Sequence, residues 1–292
     1  MKSAPSERSP SPSNRNPGVS SVPTKIIEPS RGWKMLDLGE LWRYRELLGV
    51  LVRRDLKVRY KQTVIGVAWV ILRPLASMAI FTLVFGMLVR VPSDGYPYAL
   101  FVFSALLPWT YFSGAVLLSG NSLVSSSGLV GKVSFPRLII PVAAVAGGLV
   151  DLCISVAVLL AILPVFGVGW TMNLLAVPIL ALGIIMAALG VGTLFSALTV
   201  AYRDFGHLAG FALQIWMYLT PVVYPESLIP ERWRFLLLAN PMAALVEGFR
   251  AAFLGKPFDF GAIAVSLALS AAVFAAGVAY FGKVERRFAD II

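Results

Sequence analysis

The chain has 292 residues, 58% of them hydrophobic and only 14% charged, against roughly 45–50% and about 25% in soluble domains. Such a balance describes a protein that crosses a membrane several times. Cys153 and His207 are the single cysteine and histidine, which excludes a disulfide scaffold, a cysteine zinc site and a multi-histidine relay. The formal net charge of +10 would suggest nucleic acid in a soluble chain; here it reports cytoplasmic-face lysines and arginines, and no nucleic-acid partner is expected.

Residues 1–39 are rich in Ser and Pro, mixed in charge and without apolar periodicity. They read as a disordered cytoplasmic tail, and they contain no apolar core of a cleaved secretory signal. The rest, 40–292, reads as one transmembrane domain. From Leu41 to Lys61 the chain is apolar and basic together, with Leu47, Leu48, Val50, Leu51 and Val52 beside Arg53, Arg54, Lys57, Arg59 and Lys61. This suits a helix on the cytoplasmic interface, apolar face in lipid and basic face on phosphates. A solvated helix packed on its own protein is the other reading.

Six spans of about 20 apolar residues follow. They are expected at Val70–Val89, Tyr98–Ser119, Ile139–Leu163, Leu174–Val200, Leu208–Tyr224 and Phe260–Phe281. Pro74 marks a kink or first turn in the first. Basic residues crowd before that span, in the second-to-third loop (Lys132, Arg137), in the fourth-to-fifth loop (Arg203) and after the last span (Lys283, Arg286, Arg287). The positive-inside rule then places both termini in the cytoplasm. Between the last two spans, Phe235–Ala239 and Met242–Phe253 are apolar but too short to cross, and Asn240-Pro241 separates them as a turn. Two half-helices re-entering the outer leaflet fit this pattern, with Glu247 and Arg250 on the second; a surface-lying hairpin fits it too. The expected fold is therefore an all-α polytopic membrane protein: an interfacial helix, six transmembrane helices and a re-entrant outer hairpin.

In-chain catalysis has little to work with. Asp151, Asp204, Glu226, Glu231 and Glu247 show no metal-binding or HExxH spacing. The nearest approach to a phosphate loop, Gly128-Leu129-Val130-Gly131-Lys132-Val133, has Ser126 where its first glycine belongs and Val133 where Ser or Thr belongs. No cofactor is expected in this chain, and nucleotide-driven work would need a partner. Asp151 alone lies well inside a span, either functional or a polar helix contact.

Three constellations remain. Arg53, Arg54, Arg59 and Lys61 could hold a lipid diphosphate or act as topogenic anchors. The loop Asn121–Arg137, with Ser127, Gly128, Lys132, Phe135 and Arg137, could project a short Leu/Val/Phe helix as a knob for an external motor, or be a plain connector. Trp109, Tyr111, Phe112, Trp216 and Tyr218 could carry sugars on their ring faces, or be ordinary core and belt residues. Small residues four apart, Ala143/Gly147 and Ala271/Ala275, suit close helix packing within or between protomers.

Ordered blocks from about residue 41 to the C-terminus resemble the ABC-2 type permeases that export polysaccharides. They include Arg54-Asp55-Leu56-Lys57-Val58-Arg59-Tyr60-Lys61, Arg73-Pro74-Leu75, Leu106-Leu107-Pro108-Trp109 and Lys132-Val133-Ser134-Phe135-Pro136-Arg137. Tyr202-Arg203-Asp204, Thr220-Pro221-Val222-Val223-Tyr224-Pro225, Asn240-Pro241-Met242 and Glu247-Gly248-Phe249-Arg250 continue the pattern. The resemblance implies a homodimer with two copies of a separate ABC ATPase, which holds the ATP and Mg. It implies export of O-antigen, capsular or teichoic-acid-type glycan on a polyprenyl diphosphate across the cytoplasmic membrane. It also implies an interfacial pre-span helix, an ATPase-coupling loop at Asn121–Arg137 and a re-entrant last outer loop. The competing readings are an ABC permease for a small drug or free lipid, a polytopic enzyme acting on polyprenyl-linked lipid, and a non-catalytic scaffold.

Overall fold

The computed structural model describes residues 38–61, 68–130, 135–202 and 204–285, and every regular element in it is helical. The tail expected at 1–39 lies outside the described residues except for Leu38 and Gly39, which open α1 (Leu38–Arg43). Next come α2 (Arg45–Lys61), α3 (Ala68–Phe81, prolonged by a π-helical turn to Leu88) and α4 (Tyr98–Ser125). Then follow α5 (Ser127–Val130), α6 (Ile139–Ile162), α7 (Val177–Ala201) and α8 (Phe205–Leu219). A bent pair, α9 (Glu231–Leu238) and α10 (Ala243–Leu254), precedes α11 (Phe260–Val284). The Asp259 carboxylate caps α11 by accepting from the Ala262 N–H at 2.9 Å.

Helix α4 is apolar all round and is the buried centre, in contact with α3, α6, α7, α8 and α10. Helices α7 and α11 approach most closely where Gly190 meets Gly277. A Cβ on Gly277 would overlap the Gly190 carbonyl, and one on Gly190 would come 2.5 Å from the Val273 oxygen. Small residues thus permit backbone contact, and within the protomer the contact is not at the pairs expected from spacing. A Cβ on Gly147 meets nothing within 4 Å, and Ala271 and Ala275 face outward on α11.

Two apolar clusters are buried: the main core, which runs along α4, and a smaller one at one end of the bundle. The smaller gathers Leu51 of α2, Leu123 of α4, Val130 of α5, Ile139 and Ile140 of α6, Val200 of α7 and Phe281 of α11. The basic end of the molecule is therefore closed by apolar side chains from six helices. The far end holds the start of α4, the turn at Asp94 and the bent pair.

Among the described residues, five helices are long and apolar enough to cross a membrane: α4 and α11, and α3, α6 and α7 with their short extensions. The expected fifth span is different, because α8 has only 15 residues, about 22 Å of helix. It nevertheless runs, with the residues after it, from one end of α4 to the other. A Cβ on Gly206 at its start would lie 2.9 Å from Asn121 Oδ1, near the basic end of α4. Beyond its last turn, the Pro221 and Val222 carbonyls and that of Phe101, near the far end of α4, accept from one side chain, Arg250. Asn121 and Phe101 are about 30 Å apart along α4, and extended residues after Leu219 complete what the helix lacks. The pair α9–α10, bent by 96°, does not cross. Asp94 accepts from Ser227 Oγ before it (3.2 Å) and from Lys256 Nζ after it (2.9 Å), so it begins and ends on one side.

Candidate functional site

The basic residues of α2 divide between two faces. Arg53, Arg54 and Lys57 are exposed, Arg54 pairing with its neighbour Asp55 at 2.8 Å. Lys61 ends the helix. Arg59 points elsewhere, its guanidinium bonding Asp151 Oδ2 at 2.6 Å while the Tyr60 hydroxyl donates to Asp151 Oδ1. Burial, then the hydrogen bond and charge of Asp151, push the Tyr60 phenol up to about 12. At neutral pH the proton therefore stays on Tyr60 and Asp151 is the acceptor. Leu51 packs in the cluster that holds the first turn of α6, and Asp151 is 12 residues beyond Ile139, about 18 Å along that helix. The charged end of α2 thus reaches well along α6.

The loop expected to couple to a motor contains the expected short helix, α5, but with its apolar side turned in. Val130 is buried, and Leu129 and Phe135 pack against the same basic-end cluster. Packing against Leu123 and Ile139 draws these side chains away from water, so α5 itself projects no apolar knob, and Val124 just before it is the exposed apolar side chain of the described loop. Ser127 and Gly128 are exposed at its tip, and Lys132 lies outside the described residues. Arg137 joins the loop to α11. Its backbone N–H donates to Glu285 Oε1 at 2.9 Å and its guanidinium to the Glu285 carbonyl at 2.6 Å.

At the far end, Arg250 is fully buried. It donates to the carbonyls of Phe101 (3.3 Å), Pro221 (2.9 Å) and Val222 (3.0 Å), pairs with Glu247, and lies 3.7 Å from the Phe101 ring centroid. The planar fork of arginine can serve this many acceptors where lysine cannot. Asn240 pins the bend before Pro241. Its Oδ1 accepts from Trp216 Nε1 (2.9 Å) and the Met242 N–H (3.0 Å), and its Nδ2 donates to Thr220 Oγ1 (2.9 Å). Asp94 is pulled two ways. Burial raises its carboxyl, but the hydrogen bond and charge of Lys256 outweigh this and hold it below the usual range.

The aromatic residues form a tight group. Phe112 meets Trp109 at a tilt, with ring centroids 5.5 Å apart, and Trp216 edge-on at 5.2 Å. Trp109, Tyr111 and Phe112 are buried within the protomer, Trp216 is half-buried, and Tyr218 is exposed.

The sequence profile described as ABC-2 type transporter matches residues 46–254, which takes in α2 to α10. The chain belongs to the ABC-2 type transporter family. An O-antigen export system permease protein RfbA of Klebsiella pneumoniae is 31% identical to it over 249 residues, 85% of this chain and 95% of the relative. Another protein of that name, from Myxococcus xanthus, is 32% identical over 216 residues, 73% of this chain and 82% of the relative.

This ABC-2 permease is thus a multi-pass membrane component of a transporter. Several of its polar contacts were not assigned from sequence. Asp151 stands out in the sequence but without a partner, and nothing in the sequence marks Glu285, Asp94 or Lys256 as paired. The available signal was charge matching: an acid inside a span requires a cation, and Arg59 belongs to the nearest basic run.

Proposed function

We propose that this chain is the permease subunit of an ABC exporter that moves lipid-linked polysaccharide, of O-antigen, capsular or teichoic-acid type, across the cytoplasmic membrane. The observation that carries this reading is the match to O-antigen export permeases over most of both chains. The permease acts as a homodimer with two copies of an ABC ATPase. That partner holds ATP and Mg, and this chain has no ATPase site of its own. Both termini are cytoplasmic, as the basic residues near α2 and after α11 favour.

In this mechanism the exposed tip of Asn121–Arg137 meets the ATPase. Its movement passes to α11 through the Arg137–Glu285 bonds and to α2 through the shared apolar cluster. Arg53, Arg54 and Lys61 gather the diphosphate, while Arg59 is turned to Asp151 on the other face of α2. Tyr218 offers a ring to the passing glycan, and Trp109, Phe112 and Trp216 stiffen the wall behind it. The hairpin turn at Asn240-Pro241, secured by Glu247 and Arg250, flanks the outer mouth.

Co-expression of the chain with its candidate ABC ATPase tests the reading. The purified complex is expected to hydrolyse ATP, and cells with both subunits are expected to display lipid-linked glycan outside. Glycan export by the permease without any ATPase partner would reject the ABC mechanism. A functional complex that moves no glycan would reject the substrate.

A further inference from the structure

Helix α8 has two unlike faces. On one, Ala209 and Leu213 are buried and Trp216 is half-buried. On the other, His207, Phe211, Gln214 and Tyr218 follow one another at steps of four, three and four residues, and all are exposed. Gln214 lies about 14 Å along the helix from Phe205, near midway between the two ends of the bundle. Its side-chain amide has no hydrogen-bond partner among the described residues. Acyl chains around it would leave that amide unsatisfied, which is costly. The face is suited to water or to a hydrogen-bonding chain.

Helix α4 continues this character. The two helices meet where Phe112 touches Trp216, and close to that contact Thr110 is exposed and Ser113 half-buried. Neither α4 nor α8 contains an Asp, Glu, Lys or Arg. An amide, hydroxyls and ring faces are what sugar hydroxyls and CH faces can meet without net charge. An anionic group entering this stretch would leave water and find no cation on either helix to answer it.

We propose that the exposed face of α8 selects the polymer by charge, with Gln214 as the specificity-determining side chain. It passes an uncharged, hydroxyl-rich glycan and disfavours a polyanionic one. This narrows the substrate of the transport reading above and rests on it; the exposure of Gln214 to water does not.

Water access is measured in membranes that carry the permease, its ABC ATPase and ATP. Gln214→Cys is combined with Cys153→Ser, so that the chain holds one thiol, and is treated with a charged methanethiosulfonate. Ala271→Cys in the same background, exposed and near the middle of α11, is the comparison. The reactive thiolate forms in water, so position 214 is expected to label at least about tenfold faster; equal rates overturn the proposal. Selection is measured in cells given either an uncharged polyprenyl-linked glycan or one with a uronic acid in each repeat. The wild type is expected to export the uncharged glycan in preference. Gln214→Lys is expected to lower the neutral-to-anionic ratio about tenfold and Gln214→Glu to raise it. A merely structural role would not follow the sign of the charge, so a ratio that moves alike in both variants, or in neither, overturns the assignment. Equal export of the two glycans by the wild type does so too. Rapid labelling at 214 in a wild-type background that exports neither glycan rejects the transport reading, and the selection with it, while the water-exposed face stands.

Discussion

Arg137 and Glu285, 148 residues apart in the chain, are joined by two hydrogen bonds that share no side chain. One uses the Arg137 backbone N–H and the Glu285 carboxylate; the other uses the Arg137 guanidinium and the Glu285 main-chain carbonyl. The loop before α6 is thereby fastened to the end of α11. Arg137→Ala removes only the second bond and Glu285→Ala only the first, so each is expected to cost about 1 kcal/mol. Their combination is expected to be near the sum. Thermal unfolding of the single and double variants in detergent measures this. A double variant no less stable than either single one would contradict the geometry. In the complex with an ATPase, both variants are expected to weaken the dependence of transport on ATP hydrolysis before they affect membrane insertion.

Arg250 supports the opposite end. Its side chain is fully buried and serves three carbonyls and Glu247. Removing one partner of a buried pair strands the other, at a typical cost of about 3–5 kcal/mol. Arg250→Ala is expected to be lost on extraction or to unfold at markedly lower temperature. Arg250→Lys is expected to rescue little, because a single ammonium cannot reach Phe101, Pro221 and Val222 together. Monodispersity on size exclusion after mild heating ranks the three proteins.

The pattern of what the sequence disclosed follows from the range of the forces. Apolar length and the positive-inside bias are local properties, so α3, α4, α6, α7 and α11 were legible within a few residues. Asn240-Pro241 marked a bend for a similar reason, and the structure bends by 96° there. The shortness of α8 was hidden, because the Thr220–Tyr224 stretch is apolar enough to read as helix while Arg250 draws its carbonyls away from helical bonding. Nor could periodicity tell which small residues meet: the backbone contact is at Gly190 and Gly277, on helices far apart in the chain. The inward turn of Val130 and the partnership of Asp151 with Arg59 and Tyr60 are likewise tertiary facts.

Asp94 predicts a response to acid. Lys256 holds its carboxyl below the usual range despite burial. A depressed carboxyl contributes stability above its unfolded value, near 4, and loses it as pH falls through the lower folded value. Both ends of the α9–α10 pair are therefore expected to exchange amide hydrogens more readily below about pH 4, relative to the intrinsic rate. Asp94→Asn is the suitable control, since asparagine tolerates the positive φ of 53° at this position. In that variant the extra opening is expected at neutral pH and the acid dependence to vanish. An acid response unchanged by the substitution assigns it to another group.

Gly277 and Gly147 separate close packing from mere small size. Both are buried glycines in spanning helices, and each is four residues from a small or β-branched neighbour. A methyl group at Gly277 would run into the Gly190 carbonyl, whereas one at Gly147 meets nothing within 4 Å. Gly277→Ala must push α7 and α11 apart, and overpacking of this kind costs about 1–3 kcal/mol or more. Gly147→Ala is expected to be neutral or to stabilise by up to about 1 kcal/mol through helix propensity. Comparing their melting temperatures in one detergent decides the matter. If the helices cross in the observed register, the two alanines shift stability in opposite directions, or leave Gly147→Ala unchanged while Gly277→Ala falls. Equal losses at the two positions would mean that α7 and α11 pack through a different face.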